Sequence, residues 1–383
     1  MTIDSSVLIY IHLVFLLLLL HYLFFLQRIL GGLNKLKKSS NDVILNEMIS
    51  IIIPFRNEEE NILINLESIE SQIYPIEKYE VIYVDDFSED RSFEILLNNI
   101  TKANIRVLSV PKDYSTNAHK KRAIRYGIEN AEGDIIVTTD ADCIYEDEWL
   151  HYLMLSFDPV TGFVSGPVEF ISDGNLFSEF QKLEFAGLVL TGAGLIGSGH
   201  PTICNAANIA YRKNVFNDVG GFKDNMNLSS GDDELLMQKV SKDTDFRVKF
   251  CIDKKAIVKT SANKTVENFI QQRKRWASKG LFYADKSLVL KLMLIYAFYF
   301  GLILQLILGL TTHISFLFPF IMSLLIKFAF EFTILHKGKD KLFSDLNLKY
   351  FIPAELIQIP YIIYAGLVGT FGNYFWKSRK IKR

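Results

Sequence analysis

Residues 79–90 read YEVIYVDDFSED, and residues 134–142 read DIIVTTDAD. Each stretch is a short apolar run followed directly by carboxylates, a pattern typical of a buried strand that ends at a polar site. Residues 48–54, MISIIIP, have the same apolar character and predict another strand. The neighbouring segments predict a strand at 105–110 and helices at 88–100 and 118–130. Because strands that alternate with helices need crossover connections, the sequence predicts an α/β domain with a mostly parallel sheet.

Local signals refine this pattern. Asn57, with Glu60 three residues later, resembles a capping box and predicts a helix that starts there. Residues 163–170, FVSGPVEF, predict a single strand, and Gly220 with Gly221 predicts a turn or helix stop. In open α/β sheets, ligands bind beyond the carboxyl ends of the strands. We therefore expect the functional site at that edge, where the chemically capable residues fall.

Two acidic clusters follow predicted strands, at 85–90 and 140–142. Carboxylates at one edge of a sheet repel one another, so a neutralising cation is expected between them. Asp140 and Asp142 form an Asp-x-Asp pair, whose oxygens suit Mg²⁺ or Mn²⁺ together with phosphate oxygens. A lone Asp-x-Asp equally suits a turn or a helix cap. Two clusters, each behind a buried strand, favour the metal interpretation.

Two further polar motifs lie later in the chain. Residues 231–234, GDDE, open an apolar-patterned helix. These acids fit either a favourable interaction with the helix dipole or a general base at a helix start. Residues 271–276, QQRKRW, fit either a basic helix at lipid headgroups or a site where Arg binds diphosphate and Trp stacks on a sugar.

The first long apolar segment, residues 7–26, is long enough to cross a bilayer at about 1.5 Å per residue. A cleaved signal peptide would need a basic leader and a small-residue cleavage site. Here the leader contains Asp4, and the apolar run ends near Arg28, so we expect an uncleaved anchor. Arg28 and the lysines at 35, 37 and 38 predict an N-terminus outside the membrane and a following segment in the cytoplasm.

The chain becomes apolar again after residue 290. Residues 292–310 and 314–335 predict two spans joined by a short loop. Lys327 and Glu331 lie four residues apart in the second of these and are expected to pair.

A last apolar stretch covers residues 350–376 and contains Pro353, Glu355 and Pro360. Our expectation is a further span, which would place the basic tail outside. The alternative is a re-entrant or interfacial segment that returns the tail to the cytoplasm. The tail carries Lys377, Arg379, Lys380, Lys382 and Arg383.

Composition excludes several classes of protein. The chain has 383 residues, of which 49% are hydrophobic and 22% are charged, with a net charge of -1. These values exclude a disordered chain, a collagen-like chain and a small disulfide scaffold. The balanced net charge does not indicate the basic surface that nucleic-acid-binding proteins use. Cys143, Cys204 and Cys251 fit no zinc motif and no disulfide framework, and are expected to be small buried thiols.

Five motifs occur in order: IIIPFRNEEENI at 51–62, VDDFSEDRS at 84–92, TTDADC at 138–143, SGDDELL at 230–236 and QRKRW at 272–276. Through this ordered set the chain resembles family 2 glycosyltransferases, specifically their membrane-integrated, synthase-type branch. That branch includes cellulose, chitin, hyaluronan and poly-N-acetylglucosamine synthases. The resemblance covers roughly residues 48–285 and the flanking spans. It implies a GT-A fold and a nucleotide-sugar donor, with a UDP-sugar as the family expectation.

The resemblance also assigns residues to the donor. The nucleotide would be held by Pro54, Arg56, Asn57, Glu58 and Asp86. Asp140 and Asp142 would lie at the sugar diphosphate and its Mg²⁺ or Mn²⁺. Residues 120–127, KKRAIRYG, look like the family's Lys-x-x-Ala-Leu-Asn-x-Gly stretch and would place Lys120 near the donor. Arg125 stands where that stretch usually has Asn.

On the acceptor side, Asp233 matches the family's catalytic base, and Gln272, Arg275 and Trp276 match residues at the acceptor and diphosphate end. A single in-line displacement assisted by one base inverts the anomeric centre, so we expect inversion. Arg275 and a metal would stabilise the charge that develops on the leaving diphosphate. Trp276 equally fits a tryptophan at the membrane interface.

These inferences give one leading interpretation. It comprises an anchor at 1–28, a cytoplasmic GT-A domain with C-terminal interfacial helices at 40–290, and a membrane region with a basic tail at 291–383. The enzyme would extend a polysaccharide at the inner face of a bacterial plasma membrane, in contact with lipids and with export partner proteins. The alternatives are a single transfer to a lipid-linked acceptor and, less favoured, an inactive scaffold with the same fold.

Overall fold

The computed structural model describes residues 5–38, 45–114, 119–223, 231–278, 283, 285–371, 374–376 and 379–381. Its helices are α1 Ser5–Lys35, α2 Ile62–Glu70, α3 Ser92–Asn99, α4 His119–Glu129, α5 Trp149–Met154, α6 Leu176–Gly197, α7 Lys213–Asp218, α8 Glu234–Asp243, α9 Val266–Ala277, α10 Lys286–Thr311, α11 Leu317–Lys341 and α12 Phe351–Phe371. Its strands are β1 Ile49–Phe55, β2 Tyr79–Asp85, β3 Ile105–Ser109, β4 Ile135–Thr138, β5 Cys143–Tyr145, β6 Thr161–Ser165, β7 Val168–Ile171, β8 Ile209–Arg212, β9 Arg247–Phe250, β10 Val258–Ser261, β11 Tyr374–Trp376 and β12 Arg379–Ile381.

The main sheet has seven strands in the order β3-β2-β1-β4-β8-β6-β9. β8 is antiparallel to both of its neighbours, and the other pairs are parallel. Ile51 of β1 lies opposite Val81 on one side and Val137 on the other, and all three are fully buried. These near-continuous apolar runs need helices on both faces, which the crossover connections supply. The mostly parallel sheet predicted from the sequence is confirmed.

A second, smaller sheet has three strands in the order β5-β10-β7. Residues 163–170 were expected to form one strand, and this is wrong. The chain instead leaves β6 at Gly166 and Pro167 and enters β7 in the second sheet. Proline lacks a backbone N–H and cannot continue the ladder. The side chain of Asn208 fixes this crossing by donating to the carbonyl of Pro167 at 2.8 Å.

The helix expected to start at Asn57 begins instead at Ile62. Asn57 has a φ of 51°, in the left-handed region, so it lies in a turn. Its backbone N donates to Ser88 Oγ at 3.1 Å, and its side chain accepts from the backbone N of Glu89 at 2.9 Å. Because the side chain of Asn57 already hydrogen-bonds to the loop after β2, it cannot cap a helix. Gly220 and Gly221 both have positive φ, as a turn requires.

Four helices in the described part of the chain are long and apolar enough to cross a membrane: Ser5–Lys35, Lys286–Thr311, Ile314–Lys341 and Leu348–Gly369. These mark a membrane protein. The predicted pair is present, with Lys327 Nζ 2.8 Å from Glu331 Oε2. Glu355 of α12 also contacts this buried ammonium. Within the last apolar stretch, α12 continues through Pro360 and covers Phe351–Phe371, and Tyr374–Trp376 forms β11.

The α/β domain and the long apolar helices are joined by close helix packing. Gly32 of α1 lies against Gly194 and Gly197 of α6, where backbone approaches backbone. At the same end of α1, Lys337 of α11 donates to the side chain of Asn34 at 3.0 Å. The carboxyl ends of α1 and α11 therefore lie on one side, next to the domain.

Candidate active site

A cavity of about 500 Å³ lies at the carboxyl ends of β1, β2 and β4, with α6 and α9 as its opposite wall. Its lining includes eleven of the twelve residues singled out from the sequence: Pro54, Arg56, Glu58, Asp86, Lys120, Asp140, Asp142, Asp233, Gln272, Arg275 and Trp276. Asn57 is absent from this lining, because it faces the loop after β2. The structure thus brings residues from five separate motifs around one space.

One side of the cavity is formed by the turns after β1 and β2. Arg56 is buried and donates to the carbonyls of Asp86 at 3.0 Å and Phe87 at 2.6 Å. It also pairs with Glu89 at 2.8 Å. Phe87 has a φ of 61°, a conformation that a bulky residue adopts only when its surroundings enforce it. Arg56 therefore shapes the turn that presents Asp86.

The carboxylate of Asp86 is 3% exposed and accepts hydrogen bonds from Arg122 of α4, with Nε at 3.0 Å from Oδ1. The same guanidinium lies over the ring of Phe87, at 4.8 Å from its centroid. A buried carboxylate costs free energy unless it is paired, and Arg122 supplies that partner. Arg125, at the unusual position of the motif, instead pairs with Glu129 on the surface at 2.8 Å.

The Asp-x-Asp pair follows β4 and meets Lys120 at the start of α4. Lys120 Nζ lies 2.5 Å from Asp140 Oδ1 and 3.4 Å from Asp232 Oδ2. Burial lowers the pKa of Lys120, but Asp140, Asp232 and Asp233 raise it above its usual range, so the ammonium stays charged. Lys120 therefore links the Asp-x-Asp motif to the start of α8.

Asp233 is the N-cap residue of α8 and is 6% exposed. Its Oδ1 accepts from the backbone N of Glu234 at 2.7 Å, and its Oδ2 accepts from the backbone N of Ala206 at 3.0 Å. Glu234 also lines the cavity and accepts from the hydroxyl of Tyr283 at 2.6 Å. Burial, followed by the charge of Glu234, raises the pKa of Tyr283 well above its usual range, so it acts as a donor. Asp233 is thus held rigidly at the cavity.

α9 supplies the opposite wall. The side chain of Gln272 accepts from Asn263 at 2.9 Å and from Arg273 at 2.6 Å. Arg273 is 3% exposed, contacts Glu184 of α6, and lies 4.2 Å from the ring centroid of Trp276. Arg273 therefore fastens α9 to α6 and orients the indole, while Arg275 remains at the cavity.

Sequence reasoning missed three residues that shape this site: Arg122, Asp232 and Arg273. Arg122 follows Lys120 in the same motif, and Asp232 precedes the expected base, so both lay inside recognised segments. Nothing local distinguishes them from their neighbours, since their partners lie on other elements. Arg273 is one of three adjacent basic residues, and only burial separates it from Lys274 and Arg275.

The donor set at β4 consists of hard carboxylate oxygens from Asp140 and Asp142. Within the described ranges, no three His, Cys, Asp or Glu side chains are grouped closely enough to hold a metal ion. Mg²⁺ and Mn²⁺ commonly use one or two carboxylates together with substrate phosphates. The residues therefore fit such an ion when a diphosphate completes its coordination shell.

Residues 50–220 match the family described as Glycosyl transferase family 2. The chain is 28% identical over 191 residues to glycosyltransferase AglE of Haloferax volcanii, covering 48% of this chain and 58% of that protein. It is 26% identical over 264 residues to a poly-beta-1,6-N-acetyl-D-glucosamine synthase of Staphylococcus epidermidis, covering 68% and 60%. The chain thus spans about three fifths of the length of these curated relatives.

The fold is similar to that of a mannosyltransferase from Pyrobaculum calidifontis, solved with GDP-Man and Mn²⁺. The TM-score is 0.57 at 18% identity, over 95% of this chain and 98% of that one.

The family match marks residues 50–220 as a family 2 glycosyltransferase domain, and the fold around the cavity is of the GT-A type. Long apolar helices lie on both sides of this domain, as the resemblance to the membrane-integrated, synthase-type branch predicts.

Proposed function

We propose that this enzyme transfers a sugar from a nucleotide-sugar donor to a growing polysaccharide, with inversion, at the cytoplasmic face of the membrane. The observation that carries the proposal is the meeting of the Asp-x-Asp pair, Asp233 and the α9 motif in one cavity. These groups come from distant parts of the chain. A purely structural role would not require them to meet at one cavity.

On the donor side, the nucleotide would lie beside Pro54, Glu58 and Asp86, with its diphosphate directed toward Lys120. A bound Mg²⁺ or Mn²⁺, held by Asp140 and Asp142, would neutralise charge on the leaving diphosphate. Lys120 and Arg275 would add fixed positive charge at the same place, where low exposure to water strengthens electrostatic interactions. UDP is the nucleotide that the family resemblance favours.

On the acceptor side, Asp233 would accept the proton of the attacking hydroxyl. Its two backbone hydrogen bonds fix its orientation before substrate arrives, which is what an efficient general base requires. Trp276, oriented by Arg273, would offer a flat face to the terminal sugar of the acceptor. One base and one displacement give the inverted product.

Charge and packing support the proposed orientation. The carboxyl ends of α1 and α11 meet next to the domain, and both ends carry lysines. The positive-inside rule supports a cytoplasmic location for these ends and for the domain.

A single transfer to a lipid-linked acceptor is the second candidate. It is favoured by the apolar wall that α6 contributes to the cavity, where Phe185, Leu188 and Val189 line the space and Leu188 is 38% exposed. α6 itself packs against α1 and α11, so this wall continues toward the membrane.

The test is incubation of the full chain in membranes or detergent with a panel of radiolabelled nucleotide sugars and Mg²⁺ or Mn²⁺. Incorporation from one donor identifies the sugar, and its dependence on EDTA reports the metal requirement. Long products support polysaccharide extension, whereas one added sugar on an extractable lipid supports the second candidate. No incorporation from any donor contradicts both.

A further inference from the structure

Both ends of α12 contact the catalytic domain. Just before the helix, the carboxylate of Asp345 lies 2.6 Å from Lys182 Nζ of α6. At the other end, Gly369 lies so close to α9 that a Cβ placed there would be 2.6 Å from the Cβ of Ala277. A helix that crosses the bilayer carries its far end about 30 Å from its start, along the membrane normal. Both ends of α12 instead remain in contact with the domain.

The second half of α12 runs alongside α9 in the same direction. The rings of Tyr361 and Phe269 are 5.2 Å apart, and the next contact, Gly369 with Ala277, lies eight residues further along both helices. The two helices therefore stay together for about two turns. The hydroxyl of Tyr361 also donates to Glu184 of α6 at 3.3 Å.

α9 cannot lie in the hydrocarbon core. It carries Glu267, Arg273, Lys274 and Arg275 within its twelve residues, and each charge at the centre of a bilayer is costly. Its motif also lines the polar cavity. A helix that follows α9 for two turns must share its depth, so the second half of α12 lies at the membrane surface.

The outward face of α12 is apolar from Ile352 to Leu367. The exposed residues recur every three to four positions: Ile352, Pro353, Leu356, Ile357, Pro360, Tyr364 and Leu367. The inward face holds Glu355, which contacts Lys327 of α11. Tyr296 of α10 donates to the carbonyl of Ile363 at 2.8 Å. α12 packs on α10 and α11, whose exposed residues are also apolar. Lipid is therefore the occupant that fits the exposed stripe.

We propose that α12 does not cross the membrane. It lies obliquely in the interface on the side of the catalytic domain, with its apolar stripe against lipid acyl chains and its inner face against α9, α10 and α6. The chain then has three spans, α1, α10 and α11, and its basic tail lies on the same side as the catalytic domain. β11 packs against α9, in agreement with this placement. The five basic residues of the tail then obey the positive-inside rule, which a fourth span would violate.

The test is labelling of single introduced cysteines by a membrane-impermeant maleimide, in intact cells and in inverted vesicles. Ser344→Cys marks the domain side, because Ser344 accepts from Lys254 of the domain at 2.6 Å. Thr312→Cys, in the exposed loop between α10 and α11, marks the opposite side. Ser378→Cys reports the tail, and the unmodified chain gives the background from its native thiols.

We expect Ser378→Cys to be labelled from the same side as Ser344→Cys and to be protected on the side of Thr312→Cys. Labelling together with Thr312→Cys would show that α12 spans the bilayer and would overturn the proposal. If Ser378→Cys reacts on neither side, a reporter fused after Arg383 decides: fluorescence of a green fluorescent protein supports the proposal, and alkaline phosphatase activity contradicts it. Neither readout depends on sugar transfer, so the result is independent of the proposed reaction.

Discussion

The backbone N of Ala206 lies 3.0 Å from Asp233 Oδ2, and this contact joins the loop before β8 to the N-cap residue of α8. With the second bond, from Glu234 N at 2.7 Å, this contact leaves the Asp233 carboxylate little rotational freedom. The pair therefore defines the direction from which an acceptor hydroxyl would meet the base.

Replacing Asp233 by Asn should abolish sugar transfer while the fold persists. Asn caps helices as well as Asp does, but its amide cannot accept the proton, so we expect a loss of about 10²–10⁴-fold in kcat. UDP affinity, measured by calorimetry, should change little. Asp243→Asn, at the exposed end of the same helix, is the matched control. Undiminished transfer by Asp233→Asn would remove this residue from the base role.

Arg122 should control nucleotide binding through Asp86. Substituting Arg122 by Gln removes the charged partner of a buried carboxylate, which is worth about 1.5–3 kcal/mol, and we expect UDP affinity to fall about tenfold or more. Arg125→Gln removes a surface pair with Glu129 and a contact with the ring of Tyr114, both outside the cavity lining, and should leave UDP affinity within about twofold. Equal losses in the two variants would argue against a specific Arg122–Asp86 role.

The contact between α1 and α6 should tolerate no added methyl group. In Gly32→Ala the new Cβ would lie 1.7 Å from the carbonyl oxygen of Gly194, so the helices must separate. We expect destabilisation of about 1–3 kcal/mol, visible as a lower Tm in detergent. Gly31→Ala meets no atom within 4 Å and should leave Tm unchanged or slightly higher. Indistinguishable Tm values for the two variants would contradict the close packing.

Glu169 should make stability depend on pH near neutrality. Burial, followed by its hydrogen bond to Asp345, raises the pKa of Glu169 to about 7. Because the folded state then holds a proton that the unfolded state releases, this stabilisation is complete below about pH 4.5 and is lost as pH rises through 7.

Glu169→Gln puts a neutral side chain at this position at every pH, as protonated Glu169 does. Its Tm should therefore fall less than that of the unmodified chain between pH 6 and pH 8 (about the range over which the folded group titrates). Glu267→Gln, on the exposed face of α9, is the control and should follow the unmodified chain. Parallel pH profiles for Glu169→Gln and the unmodified chain would count against the raised pKa of Glu169.

Lys327 should be essential to the helix bundle. It is fully buried and contacts Glu331, Glu355 and Gln358, so Lys327→Met leaves carboxylates unpaired in an apolar setting. We expect a loss of about 3–5 kcal/mol, measured by thermal unfolding in detergent. Lys327→Met with Glu355→Gln should recover part of the loss, whereas exposed Lys291→Met should cost little. A loss of stability no larger than that of Lys291→Met would show that the contacts of Lys327 with Glu331 and Glu355 contribute little.

Local patterns in the sequence located most elements of the domain. The strand Tyr79–Asp85 matches its predicted bounds, and the helix after Asp233 forms as its apolar spacing indicated. Burial of an apolar run is decided by the run itself, so periodicity suffices for such elements. The family resemblance added which polar motifs belong to one site, and eleven of those twelve residues line the cavity.

Elements whose bounds depend on distant residues could not be predicted from the local sequence. The helix expected at Asn57 starts five residues later, because the backbone N and the side chain of Asn57 hydrogen-bond to the loop after β2. The stretch 163–170 divides between two sheets, because Asn208 and the second sheet offer hydrogen bonds that the first cannot.

The sequence by itself determined the class of fold, the apolar segments and the positions of the acidic and basic motifs, because these follow from spacing and composition. Only the tertiary structure decided how the charges are paired. Arg122 holds Asp86, and Lys120 joins Asp140 to Asp232, through contacts between residues 20 to 112 positions apart. It also decided that α12 follows α9, since the depth of an apolar helix is set by its neighbours rather than by its length.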